Sequence, residues 1–179
     1  VMDVSALVGA LCAMVGKHAS RGDLVSEARR LVHYVVDKQT AYGAWFYTHP
    51  PGDSHITHDN YHTGEILDAI ADYGDSAGDD SSRSAYERGL EYYRAHLFTP
   101  EARPKWMNDK VFPHDAHGYA QGVITFTRAG DLALARRIAA RAIEDLWDDT
   151  AGRFRYQKRR FYTKRFTLMR WSQAWLVAA

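Results

Sequence analysis

The sequence predicts an all-α protein built of repeated αα-hairpins, and three observations predict it. A segment recurs three times, each time at the start of an expected helix. It reads Asp59-Asn60-Tyr61-His62-Thr63-Gly64-Glu65-Ile66, His117-Gly118-Tyr119-Ala120-Gln121-Gly122-Val123-Ile124, and Met169-Arg170-Trp171-Ser172-Gln173-Ala174-Trp175-Leu176. Aligned so, Tyr61, Tyr119 and Trp171 coincide, as do Thr63, Gln121 and Gln173, and the small residues Gly64, Gly122 and Ala174. The steps between units are 58 and 52 residues, a period that holds two helices and marks a repeat architecture. The second observation is apolar spacing of helical period in seven stretches. The third is an alternation of short and long connections, as in stacked helical hairpins.

The elements follow in order. Residues 3–16 carry Val4, Leu7, Val8, Leu11, Met14 and Val15 at helical spacing, which reads as a core helix stopped by Gly16. Gly22-Asp23 opens a second helix over 23–39, with Leu24, Ala28, Leu31, Val32, Val35 and Val36 as its apolar face. A third spans 60–73 and ends at Tyr73-Gly74; the polar stretch 75–84 separates it from a fourth over 84–97. A fifth spans 115–128, stopped by Gly130, a sixth 131–147, and a seventh starts near 167. The turns within pairs are short, at 17–22, 74–82 and 129–131. The links between pairs, at 40–58, 98–114 and 148–166, are long and rich in Tyr, Trp, Phe, Pro and Gly. Loops of that length in a compact protein usually carry function. Trp45-Phe46-Tyr47 and Arg153-Phe154-Arg155-Tyr156 are candidates for short strands within them.

Stacked αα-hairpins form either an open superhelix or a closed α/α toroid. Elaborate loops and polar helix starts gathered at one end favour the toroid. A six-hairpin ring at this period needs about 330 residues, so the 179 residues, read as a single domain over 1–179, make about half of one. Val1 in place of an initiator Met points to a fragment or a processed product. Half a ring exposes helix faces that a full ring buries, so self-association or a partner covering the open edge is expected.

Composition narrows the function classes. A formal net charge of +1 favours neither nucleic acid nor an acidic membrane surface. Lys158-Arg159-Arg160 and Lys164-Arg165 read as a solvated loop or a site for one anionic group. The longest apolar run, near 4–15, is too short to span a bilayer and lacks the pattern of a signal peptide. Cys12 is the single cysteine, lies on an apolar stretch and cannot form an internal disulfide. It reads as a small buried hydrophobe and favours a reducing, cytoplasmic setting. Five Trp and eleven Tyr fit either a pocket for sugars or apolar ligands, or gaps between helices.

Two resemblances follow from quoted residues. Gln39-Thr40-Ala41-Tyr42-Gly43-Ala44-Trp45 resembles the Gln-x-x-x-Gly-x-Trp repeat of the prenyltransferase and squalene-cyclase toroids. There the Gln and Trp tie the end of one helix to the next hairpin. The cyclase's acidic motif has no counterpart, since Asp79-Asp80 lies in a Gly/Ser-rich turn and is expected to be solvated. Most of the chain resembles a second toroid family. The residues are Gly43-x-Trp45-Phe46-Tyr47, Asp59-Asn60-Tyr61-His62-Thr63-Gly64, Arg103-Pro104-Lys105-Trp106, Pro113-x-Asp115, Ala120-Gln121 and Trp171-Ser172-Gln173-Ala174. That family is found beside polysaccharide and glycan biosynthesis genes. It is related to the six-hairpin glycosidases, which include unsaturated uronyl hydrolases and sugar 2-epimerases. The resemblance implies the toroid fold, members about twice this length, and a sugar or glycan substrate.

The candidate catalytic residues are Asp59, Asp115, His62 and His117. Two carboxylates that flank a glycosidic bond can act as acid and base; Asp at a helix start is also a preferred N-cap, and both positions suit that role. Imidazole titrates near neutrality and can move protons, as an epimerase requires of a pair across one carbon, or can pack as a structural histidine. Arg170 offers a fork for a carboxylate or phosphate, with Lys110 and Lys164 as helpers, or pairs with Asp59, Asp115 or Glu65. Tyr61, Tyr119, Trp171 and Trp106 form a candidate stacking wall, while Trp45 and Trp175 fit the core better. Gln121 and Gln173 can bond sugar hydroxyls or neighbouring loops. The spacing His55-x-x-His58-x-x-x-His62, with His114-x-x-His117, permits a zinc reading but lacks the Glu of a His-Glu-x-x-His motif. No metal site and no cofactor are assigned.

Three functions stay open at this point. The first is carbohydrate processing by hydrolysis, elimination or epimerisation. The second is a non-catalytic glycan-binding or scaffold subunit of polysaccharide assembly. The third is an isoprenoid-binding or cyclase-like toroid.

Overall fold

Small residues set how the first hairpin packs. In the computed structural model, which describes residues 1–179, helix α1 (Met2–His18) buries Met2, Asp3, Ala6, Gly9, Ala10, Ala13 and Gly16. A Cβ on Gly9 would lie 2.8 Å from Val32 Cγ2 of α2 (Gly22–Asp37), and one on Gly16 2.8 Å from Val25 Cγ2. The two backbones therefore meet across glycine and alanine. This corrects the expectation of a core helix built on Val4, Leu7, Val8, Leu11 and Val15: each of those is more than 40% exposed. The large apolar face points outward because the small face makes the closer helix contact. Cys12 is half-buried, not fully buried as expected.

The chain divides into two compact units, Val1–His58 with His62–Ala95, and Asp59–Tyr61 with His96–Ala179. Unit 1 holds α1, α2, all but the first two residues of α3 (Asn60–Ala77) and α4 (Arg83–His96) up to Ala95. Gly43 lies at φ +92 with Arg88 O 2.6 Å from where a Cβ would stand, so the loop after α2 requires glycine there. Gln39 Nε2 donates to Gly43 O at 3.0 Å and to Ala85 O of α4 at 2.8 Å, and Arg88 donates to Gln39 Oε1 at 2.6 Å. Trp45 is buried, donates from Nε1 to Val35 O at 2.9 Å, and rests on Gly89, whose Cβ would lie 2.5 Å from its ring. The Gln-x-x-x-Gly-x-Trp residues thus tie the end of α2 to α4. Trp45-Phe46-Tyr47 forms no strand.

Helix α3 runs to Ala77 and does not stop at Gly74. A helical glycine costs only about 1 kcal/mol, and the break comes at Gly78, which has φ +63. Asp79 then caps a 3₁₀ turn, Asp80–Ser82, by accepting from Ser81 N; Tyr73 Oη donates to its other oxygen at 2.6 Å, and Arg29 pairs with it at 3.4 Å. Asp79 is a structural cap and not the solvated residue expected, whereas Asp80 is exposed.

Unit 2 is built on α5 (Ala116–Arg128) packed against α6 (Leu132–Leu146). Gly122 admits the Phe98 ring, 2.7 Å from its virtual Cβ, so a small residue is needed there. Asp131 caps α6 by accepting from Leu134 N, and Gly130 makes the turn at φ +79. Two small antiparallel sheets of two-residue strands follow. In one, β1 (His114–Asp115) pairs with β4 (Gln157–Lys158), which pairs with β5 (Thr163–Lys164). In the other, β2 (Trp147–Asp148) pairs with β3 (Arg153–Phe154). The long seventh helix expected from 167 is instead a π-helical turn, Met169–Gln173, followed by a short α7 (Ala174–Ala178). No helix is long and apolar enough to cross a membrane.

Candidate functional site

Asp115 ends β1 and caps α5, its Oδ1 accepting from Gly118 N at 2.8 Å. Gly118 is glycine because Pro104 lies 2.9 Å from where its Cβ would be. Strand pairing sets Asp115 opposite Gln157, whose side chain also hydrogen-bonds the carboxylate. Only 8% of Asp115 is exposed. That burial, with a smaller push from the charge of Asp59, raises its pKa to about 6 against the favourable bonds from Gly118, Gln157 and His117. Asp59 directly precedes α3, bridges to Met107 and is equally buried. The charge of Asp59 is therefore felt at Asp115 inside unit 2.

The same unit gathers an aromatic cluster. His117 lies flat on Tyr61, with ring centroids 4.1 Å apart and planes within 4°. Trp171 meets His117 edge-on at 4.7 Å, and Trp175 meets His117 at 5.5 Å and Tyr61 at 5.7 Å. Trp171 is 45% exposed, and the Arg170 guanidinium lies 5.6 Å from its ring centre. A π-turn is a common device at functional sites, and here it carries both residues.

This geometry corrects the register of the repeat. Asp59 and Asp115 each directly precede a helix, and Tyr61 and His117 each take its second position. Alignment by matching aromatic residues had set Tyr61 against Tyr119, two residues out of step. Tyr119 is instead fully buried, and its hydroxyl donates to Asp145 at 2.5 Å. Asp145 also binds Arg103 Nε at 2.7 Å and Lys158 Nζ. Burial opposes ionisation of Asp145, but these partners outweigh it and hold the carboxyl at about 2.

The other expected site residues have these places. Gln121 is buried and donates to Thr125 Oγ1 at 3.0 Å. Gln173 clamps β3 through Phe154, donating to its carbonyl at 2.7 Å and accepting from its N–H at 3.1 Å. Trp106 is half-buried, and its carbonyl accepts from Asn60 N at 3.3 Å. His62 belongs to unit 1, where Tyr47 packs 4.5 Å from its ring. His58 donates from Nδ1 to Trp45 O at 2.8 Å and meets the Tyr42 hydroxyl at Nε2, so neither nitrogen is left for a shared metal with His62. His114 donates from Nδ1 to Pro104 O at 2.6 Å, and burial lowers its pKa. Sequence reasoning set Trp175 in the core, whereas it stands one helical turn beyond Trp171 and meets the rings of His117 and Tyr61. Sequence reasoning missed Gln157, which only the pairing of β1 with β4 brings to Asp115.

No family model matches this sequence, and no curated protein matches it. Solved structures do. A sugar epimerase from a ruminal bacterium superposes with a TM-score of 0.69 at 12% identity, over 92% of this chain and 49% of that one. An unsaturated glucuronyl hydrolase specific for heparin superposes with a TM-score of 0.62 at 11% identity, over 88% of this chain and 40% of that one. The fold is that of the α/α toroids. The chain spans half or less of the length of each of those chains. At such identities the likeness concerns fold alone.

Proposed function

We propose that this toroid segment processes a glycan or sugar intermediate, with Asp115 as proton donor and Asp59 as its partner carboxylate. The observation that carries the reading is the pair itself: two buried carboxylates at matching helix starts, one of them raised to about 6. An acid that keeps its proton close to neutrality can give it to a glycosidic oxygen. The bond from the anomeric carbon to that oxygen then breaks, and the alcohol leaves. Asp59 accepts a proton from the water that attacks the same carbon. Trp171, half-exposed beside the stacked pair of Tyr61 and His117, offers a flat face to a sugar ring, whose own faces are apolar and whose rim is polar. Arg170, beside Trp171, suits a carboxylate on that sugar. The fold likeness to an epimerase and a glucuronyl hydrolase supports a sugar substrate.

The half-exposed Trp171 also supports a second reading, non-catalytic glycan binding within polysaccharide assembly. One pair of variants separates the two. Asp115→Asn and Asp59→Asn are assayed on unsaturated uronyl and saturated disaccharides, with binding measured in parallel. Lost turnover with binding retained supports the enzyme. Binding in the wild type without turnover supports the second reading, and neither binding nor turnover overturns both.

A further inference from the structure

We propose that Asp3, His62 and Glu65 bind one divalent first-row cation, Zn²⁺ or Mn²⁺. The three belong to unit 1, and one potential ligand atom from each lies within 4.8 Å of the other two. His62 and Glu65 stand three residues apart on α3 and so share a helix face. Asp3 reaches them from the first turn of α1.

Asp3 supplies the independent sign of a ligand. It is only 7% exposed, and its Oδ1 has no hydrogen-bond partner. A buried carboxylate oxygen without a donor is costly and is rarely kept without a reason. Apart from Met2, the other buried residues of α1 are alanines and glycines, so packing alone does not call for an acid at Asp3. A divalent cation answers the unmet oxygen and the second carboxylate together.

The donor set narrows the cation. Zn²⁺ takes both imidazole and carboxylate ligands, carboxylates also suit Mn²⁺, and Mg²⁺ and Ca²⁺ favour oxygen-only sites. Ligand atoms around zinc, bonded at about 2.0–2.2 Å, stand about 3–3.5 Å apart. Binding requires the three donors to close from within 4.8 Å to that spacing. Tyr47, packed against His62, restrains the ring. Three protein ligands leave room for water. The proposal does not rest on the sugar reading, which makes no use of His62.

The test is calorimetric titration of the chelator-stripped chain with ZnCl₂ and MnCl₂, and with MgCl₂ and CaCl₂ in parallel. The expected result is one equivalent of Zn²⁺ or Mn²⁺ bound in the micromolar range. Asp3→Asn and Glu65→Gln should each weaken binding about tenfold or more, while His55→Gln, an exposed histidine, should not. If Asp3→Asn does not fold, Glu65→Gln decides, together with a metal-induced rise in Tm seen in the wild type and lost in that variant. No saturable binding, binding unchanged in Glu65→Gln, or a preference for Mg²⁺ or Ca²⁺ would overturn the assignment.

Discussion

His117 is stacked face to face on Tyr61, 4.1 Å between ring centres, and the edge of Trp171 closes on the same imidazole. Each stacked partner sits at the second position of its own helix, so the pair is produced by the repeat. If this cluster holds a sugar, Trp171→Ala should weaken glycan binding by about 1–2 kcal/mol, the usual worth of an aromatic contact. Its half-exposed position means the Tm should move little. Isothermal titration and differential scanning calorimetry on the same variant check both expectations.

Asp115 makes a pH prediction whose sign runs opposite to most carboxylates. Its folded pKa, about 6, lies above the ordinary value of 3.8, so the native state holds a proton that the unfolded chain has released. Between those values stability falls as pH rises. Asp115→Asn keeps a good cap and removes the charge. Relative to the wild type, the variant should therefore gain about 2–3 kcal/mol between pH 4 and pH 7. Urea denaturation at the two pH values measures this difference. A constant difference would mean that Asp115 titrates normally.

Asp145 behaves in the opposite way. Arg103, Lys158 and Tyr119 converge on a fully buried carboxylate, held at about 2. Its lowered pKa stabilises the fold above 3.8, and that contribution is lost as pH falls through about 2. Asp145→Ala leaves two cations and a buried hydroxyl without their acceptor and should cost about 3–5 kcal/mol. Chemical denaturation at neutral pH tests it. The same variant should show a shallower loss of stability in acid.

The outward stripe on α1 predicts association. Val4, Leu7, Val8, Leu11 and Val15 are each more than 40% exposed along one helix. Contiguous apolar surface of this kind usually has a partner. We expect the chain to self-associate through this face, and Leu7→Lys with Leu11→Glu to give a monomer without loss of helix content. Sedimentation velocity over a concentration series decides; a wild-type monomer at all concentrations would contradict the expectation.

Much of the fold was legible because hairpins announce themselves locally. Gly130 and Asp131 stop one helix and cap the next, and Gln39, Gly43 and Trp45 fasten a loop whose role the motif already implied. The facing of α1 was not legible. Periodicity finds an apolar stripe but cannot tell that a Gly9–Ala13–Gly16 face packs more closely than a leucine face does. The site was half legible. Asp59 and Asp115 are visible as polar helix starts; their burial is not, and Gln157 reaches Asp115 only through strand pairing from a distant loop. Matching like aromatics hid the equivalence of Tyr61 and His117, because two different rings fill the same structural position. Tyr119 could be placed only once Asp145 was seen to face it.

The central claim is that Asp115, Asp59 and the cluster of Tyr61, His117 and Trp171 form one sugar site. The most direct measurement is NMR of the indole and imidazole resonances during titration with an unsaturated uronyl disaccharide and a neutral disaccharide. We expect saturable shifts of Trp171 and His117 by at least one of the two sugars, with the His117 shift lost in Trp171→Ala. Sugar-induced shifts confined to other residues, or none at concentrations well into the millimolar range, would contradict it.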